Sequence, residues 1–584
     1  MQLQTIDWTI IGLFFAVTLL MGMLAAKRSG GSASEFFLSG RSMPWWLLGV
    51  SMVATTFSAD TPNLVADIVR QNGVAGNWVW WAFLLTGMLT VFVYARLWRR
   101  SGVTTDLEFY ELRYSGKEAA FLRGFRAVYL GVFFNTVIMA TVCLAAVKIG
   151  EILLGLPPWK TLLLASVITV LYSAFGGFRG VVLTDFVQFV FAMGGAIAAA
   201  VVVVNLPEVG GMEALVSRPE LNDKLNFIPD FSNNDLLWSV FIIPLAVQWW
   251  SVWYPGAEPG GGGYIAQRML SAKNEKHAIA ATLFFNVAHY ALRPWPWIVV
   301  ALASLVIFPD LESLKAAFPN VEEGSIGHDL AYPAMLSYLP AGLLGLVVAS
   351  LMAAFMSTIS THLNWGSSYV VNDVYLRFVN PAASDKQQVW VGRLSTVVLM
   401  IGAVVLSRFI GNAKEGFQVL LQIGAGTGLL FILRWFWMRV NAYAEIAAMV
   451  ASFAYAVTML FFKDGWPDHW VLIGGVAFTT LCWMAVMFLT PETDEATLRN
   501  FYAKIRPFGS AWQRRFGELA ESSNDTSLGR NVLSMVIAVM LVYAVLFATG
   551  KLLYGELDYA GALYAYAAVL TMILIRLQRK INKR

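Results

Sequence analysis

The chain has 584 residues, of which 58% are hydrophobic and only 13% charged, with a net charge of +4 and a mean hydropathy of +0.62. A soluble globular chain runs about 45–50% apolar and about 25% charged, so this composition suits a bilayer and not water. The small net charge gives no footing for nucleic acid, and the two cysteines and five histidines are scattered without the spacing of a disulfide framework or a metal centre.

The first apolar run, Ile10 to Ala26, has Asp7 before it and Lys27–Arg28 after it. That order fits a retained helix with its N-terminus outside and does not fit a cleavable signal. Stretches of about 20 mostly apolar residues follow at 44–70, 77–98, 126–155, 160–176, 180–204, 236–256, 275–308, 340–374, 388–410, 414–438, 441–462, 470–490, 531–550 and 556–577. With 5–26 these make about fifteen predicted spans. Alternate loops are basic, from Lys27 and Arg41 through Arg268 and Lys273 to Arg579 and Arg584, while the loop at 309–338 is acidic. The alternation predicts a multi-pass protein of the cell membrane with its C-terminus cytoplasmic.

Two spans are interrupted. The second carries Thr55–Thr56, Ser58, Asp60–Thr61 and Pro62 in its middle, and the seventh is broken by Tyr254–Pro255–Gly256 and the run Gly260 to Gly263. Each opens a block of five spans. Polar and helix-breaking residues at membrane depth are costly unless the freed backbone lines a cavity or an ion, and a matched pair of broken helices points to a transporter binding site; two unrelated kinks are the bland alternative. In the ninth span Ser357, Ser360 and Thr361 share one helix face, with Thr358 beside them. Such hydroxyls are hard neutral ligands for an alkali cation, or they bond their own helix carbonyls. Asp185, a few residues into the sixth span, is either a functional carboxylate or an interfacial one. No arginine is placed inside a span to hold a carboxylate.

GRSMPWWLLGVSMVATTFSAD, GGFRGVVLTDFVQ, YIAQRMLSAKNEKHA and AAFMSTISTHLN resemble the signatures of the sodium/solute symporter family, which includes sodium/sugar cotransporters. The resemblance, from residue 40 to about 440, implies an all-α membrane protein of LeuT-like fold. Its two inverted five-helix repeats would lie at about 44–204 and 236–438, joined by an outer segment at 205–235 and flanked by an extra helix in 1–43 and accessory helices in 439–584. It implies one sodium site from carbonyls of Ala54, Phe57 and Ala354 and hydroxyls of Ser357 and Thr358. A second would use Asp185, Ser357, Ser360 and Thr361. The galactose-transporting member holds its sugar with asparagine and glutamine where this chain has Thr56 and Thr61. Those two, with Gln248, Trp253, Tyr254 and Gln422, are the candidate solute contacts; the aromatic pair would stack on a ring or form part of a lipid-facing belt.

The expected function is sodium-coupled import of a small polar organic solute, sugar or sugar-like, by alternating access. The partners are that solute, sodium as coupling ion and membrane lipid, with no cofactor. Proton coupling on the same fold, an amino acid or organic acid as solute, and a solute sensor are the alternatives. No paired carboxylates, nucleophile arrangement or nucleotide-binding loop favours an enzyme.

Overall fold

The computed structural model describes residues 3–150, 153, 155–251, 258–319, 326–409, 426–462, 465–519 and 528–582. Among these residues it is helical throughout, with one isolated β-bridge between Met43 and Ala272. Helix α1 (Thr5–Ser29) carries buried Asp7, whose Oδ1 accepts the N–H groups of Gly342 and Gly345 at 2.7 Å each. Those donors belong to the N-terminus of the Leu343 helix, where free N–H groups and the dipole favour a carboxylate.

The second predicted span is two helices, α2 (Trp45–Thr55) and α3 (Thr61–Asn72). Local chemistry explains the gap. The Thr56 hydroxyl bonds the carbonyls of Met52 and Val53 at 3.1 and 2.9 Å, the Phe57 N–H turns to Ala54 O at 3.1 Å, and the Ser58 N–H bonds Thr61 Oγ1 at 3.2 Å. Pro62 falls in the first turn of α3, where its missing N–H has no partner to lose.

Helix α4 (Pro158–Val204) runs for 47 residues, which straight would be about 70 Å, twice the thickness of a bilayer core. It is folded at Gly177, whose φ of 54° and ψ of −159° only glycine adopts without strain. Gln188 Nε2 consequently reaches the Tyr172 hydroxyl at 3.5 Å, although 16 residues of straight helix would hold them about 24 Å apart. The predicted spans at 160–176 and 180–204 are therefore the two arms of one folded element.

The seventh predicted span breaks as well. Helical turns end at Trp250, the backbone is extended at Ser251, and helix resumes as α5 (Gly263–Ser271). Gly260 and Gly261 have φ of 90° and 84°, and a Cβ on Gly260 would sit 3.0 Å from the Tyr94 ring. Met43 exchanges backbone hydrogen bonds with Ser271 and Lys273 at 3.2 and 3.1 Å, tying the start of the first broken helix to the end of the second. Beyond it run α6 (Pro294–Ile307), α7 (Leu343–Tyr369) and α8 (Ala442–Phe462). Helix α4 packs against α1 and α7, and α7 against α2.

Eleven stretches of described residues are long and apolar enough to cross a membrane. The shortfall from fifteen has physical reasons. The two arms of α4, folded at Gly177, fall within the single stretch Pro158–Val204, and the pieces of the broken spans are individually too short. Much of 414–438 lies outside the described residues.

Candidate functional site

The centre of the molecule holds an ion pair wrapped in hydroxyls. Asp185, on the second arm of α4, and Arg268, on α5, both have side chains with no exposed surface, and Arg268 Nη2 lies 3.5 Å from Asp185 Oδ2. Asp185 accepts hydrogen bonds from Ser51 Oγ of α2 at 2.5 Å and from Ser357 Oγ of α7 at 2.7 Å. Ser51 in turn accepts from Arg268 Nε and Nη2 at 3.2 and 3.1 Å, so its one hydroxyl relays between the two charges. Arg268 Nη2 also donates to Thr361 Oγ1 at 2.7 Å and Thr55 Oγ1 at 3.2 Å, and these two hydroxyls lie 2.9 Å apart. Four segments thus meet: both broken helices, α4 and α7. An unpaired charge at this depth would be very costly; the pair and its hydroxyls offset that.

Around the first break, Thr358 Oγ1 donates to Thr55 O at 3.1 Å, bringing α7 against the end of α2. Ala54, Phe57, Ala354, Ser357 and Thr358 are all buried there. The proposed first sodium ligands therefore share one neighbourhood. Of the second set, Asp185 and Thr361 both contact Arg268, and Ser357 joins them through its hydrogen bond to Asp185. Ser360 instead bonds Ser357 O, within its own helix, at 3.1 Å.

The solute candidates divide. Thr56 stands at the break, where its hydroxyl accepts from Arg293 Nη1 and contacts His289 Nδ1, each at 3.1 Å. Thr61 uses its hydroxyl to hold the Ser58 N–H, and Gln248 donates to Val79 O at 2.8 Å, so both have structural partners. Trp253, Tyr254 and Gln422 lie outside the described residues.

Sequence reasoning missed Ser51, Thr55 and Arg268 as site residues. The sequence places no arginine inside a span to hold a carboxylate; the structure buries Arg268 against Asp185 and Arg293 beside Thr56. The sequence reads Arg268 as a loop charge because it lies near Lys273 and Lys276. Helix α5 turns it inward instead. Its place on a short helix directly after a glycine break was the available signal, as was the i, i+4 spacing of Ser51 and Thr55.

The sequence model of the sodium:solute symporter family matches residues 36–452. A sodium/glucose cotransporter from Vibrio parahaemolyticus is 26% identical over 506 residues, spanning 84% of this chain and 90% of that protein. A sodium/myo-inositol cotransporter from Bos taurus is 27% identical over 565 residues, spanning 86% of this chain and 76% of that protein. A solved structure of a Na+-coupled sialic acid symporter, in a substrate-bound outward-open state, superposes with a TM-score of 0.67 at 20% identity, covering 84% of this chain and 99% of that one. The shared fold is the LeuT-like one expected from the sequence.

Proposed function

The chain belongs to the sodium:solute symporter family and is a sodium-coupled solute symporter, not an enzyme; we propose that it imports a small polyhydroxylated organic solute by alternating access. Relatives named for glucose and myo-inositol support the solute class. The observation that carries the mechanism is the hydroxyl cluster of Ser51, Thr55, Ser357, Thr358 and Thr361 packed against the break between α2 and α3.

The first sodium ion binds carbonyls of Ala54, Phe57 and Ala354 and hydroxyls of Ser357 and Thr358. Backbone carbonyls near the end of α2 point negative dipoles at a cation, and neutral oxygens suit an ion that has to leave again. A second sodium uses Asp185, Ser357, Ser360 and Thr361. Arg268 now stands among those oxygens, so sodium entry there shifts its guanidinium toward Ser51 and Thr55. The solute docks beside Thr56, with Thr61, Gln248, Trp253 and Tyr254 on the two broken spans and Gln422 in the predicted span 414–438 as further candidates. The moving units are the repeats at about 44–204 and 236–438, with the N-terminus outside and the C-terminus cytoplasmic. Voltage supplies about 2.3 kcal/mol per charge per 100 mV, so each added sodium steepens accumulation.

The test is uptake of labelled sugars, polyols and sugar acids into proteoliposomes under a sodium gradient or a proton gradient alone. Sodium-dependent uptake that collapses in Ser357→Ala supports the assignment. Uptake driven by protons without sodium would overturn the ion sites.

A further inference from the structure

Arg293 is a second cation at membrane depth, and unlike Arg268 it makes no ion pair with a carboxylate among the described residues. It lies in the 33-residue apolar stretch Glu275–Ile307, 18 residues beyond the first and 14 short of the second, which is more than about 20 Å from either end along the axis. The residue is 2% exposed. Its Nη1 donates to Val53 O at 3.3 Å and Thr56 Oγ1 at 3.1 Å. Its Nε is buried and, among the described residues, has no hydrogen-bond partner. The guanidinium lies 5.1 Å from the Trp297 ring centre and 5.9 Å from that of Phe57, two rings stacked at 5.0 Å.

The compensation is partial. Val53 sits in the last turn of α2, whose C-terminal dipole supplies roughly half a negative charge. Ring faces attract a cation but do not neutralise it. A buried guanidinium in this setting retains an unmatched positive charge, and its fork of donors fits a carboxylate. The location matters as much as the charge. Arg293 touches Thr56 at the broken helix, and His289 reaches the same hydroxyl at 3.1 Å. Trp80 and Tyr290, stacked at 6.0 Å, adjoin the His289 ring. One guanidinium with neutral hydrogen-bonding groups and flat apolar faces matches a singly charged, partly polar molecule; a phosphate dianion would keep one charge unmatched.

We infer that the transported solute carries a carboxylate, as a sugar acid does, and that Arg293 holds it beside Thr56. The inference rests on the symport reading above and assigns the chemical class of its solute.

Thermal unfolding of the purified full-length protein tests it, in sodium and in potassium buffers. The probes are hexuronates, N-acetylneuraminate and aldonates, each paired with its neutral methyl ester or amide. At least one acid should stabilise the protein in sodium with an apparent affinity tenfold or more above its neutral partner. Arg293→Gln should abolish that preference, Arg293→Lys should restore part of it, and stabilisation by sodium alone should persist in both as the sign of a folded protein. Equal stabilisation by acid and neutral partner, no stabilisation by any acid, or an acid preference that survives Arg293→Gln would overturn the proposal. Stabilisation by an acid that is equal in potassium and sodium would count against the sodium reading while leaving the role of Arg293 standing.

Discussion

Two buried charge clusters among the described residues are solvated differently. Asp185 and Arg268 meet through the hydroxyls of Ser51, Thr55, Ser357 and Thr361. The other cluster joins Arg126, Glu258, Arg434 and Glu445. Arg126 pairs with Glu258 and, at 3.8 Å, with Glu445, while Arg434 lies 3.5 Å from Glu445 and 3.8 Å from Glu258. Its guanidinium groups lie over aromatic rings, Arg126 4.9 Å from the centre of Phe431 and Arg434 4.8 Å from that of Phe109. Hydroxyls rotate and serve as donor or acceptor, so the first cluster can rebond around an arriving ion without stranding a charge. The second has two cations and two anions in mutual contact, and losing any one leaves an excess. It ties Glu258, within the second break, to Arg126, Arg434 and Glu445, the last on α8 outside the repeats. The first cluster is built for exchange and the second for permanence.

Breaking the permanent cluster should have the largest effect. Glu445→Gln leaves Arg126 and Arg434 facing one carboxylate and costs about 3–5 kcal/mol, the usual penalty for removing one partner of a buried pair. The melting temperature in detergent should fall steeply, and adding Arg434→Gln should recover part of the loss by restoring the charge balance. An unchanged melting temperature in Glu445→Gln would erase the contrast between the clusters.

In the exchangeable cluster the damage should appear in transport before stability. Asp185→Asn removes the partner of Arg268 and should lower sodium-driven uptake by about 100-fold, equivalent to about 2.7 kcal/mol. Coupled with Arg268→Gln, stability should return while sodium dependence does not. If uptake and its sodium dependence survive Asp185→Asn, the carboxylate is structural and the second sodium site fails.

Ser357 is assigned to both sodium sites, Thr358 and Ser360 to one each. Ser357→Ala also removes a hydrogen bond to a charged group, worth about 1.5–3 kcal/mol. Its half-saturating sodium concentration should therefore rise about tenfold, against about threefold for Thr358→Ala or Ser360→Ala. Equal shifts in all three, measured by sodium titration of uptake, would dissolve the shared-ligand arrangement.

What the sequence disclosed follows from where its exceptions lie. The Thr55–Pro62 cluster and the Gly260–Gly263 run stand out because polar and helix-breaking residues interrupt apolar helices, and both breaks are present. Ser357, Thr358 and Asp185 were visible for the same reason, as oxygen-bearing side chains inside hydrophobic spans. Arg268 was hidden, because an arginine near loop lysines has the same composition whether its helix turns it outward or inward. Arg293 was hidden by position alone, since nothing in PWPW says that its neighbour packs against Thr56. The roles of Gln248 and Thr61 turn on backbone groups, Val79 O and the Ser58 N–H, that no side-chain pattern reveals. The fifteen predicted spans count each broken helix and each arm of the folded α4 as a crossing, whereas eleven stretches among the described residues are long and apolar enough on their own.

A half-exposed pair outside the spans supplies the smallest effect and a control for both clusters. Glu111 accepts from Arg377 Nη2 and Arg123 Nη1, each at 2.8 Å. Burial pushes its carboxyl up, but the hydrogen bonds and charges of Arg377 and Arg123 outweigh that and hold it below the ordinary carboxylate range. A depressed folded-state value means that Glu111 contributes stability above the ordinary carboxylate pKa and loses it as pH falls through the folded one. Arg377→Ala removes the more exposed partner and should cost about 0.2–1 kcal/mol at neutral pH, as solvent-screened pairs do. The melting temperatures of wild type and Arg377→Ala should differ slightly at neutral pH, converge on acidification, and converge at neutral pH in high salt. A gap that ignores both pH and salt would mean that Arg377 acts by packing its stem against Phe378, not by its charge. An effect as large as that of Glu445→Gln would show that burial in the inner cluster is not what makes its pairs costly to break.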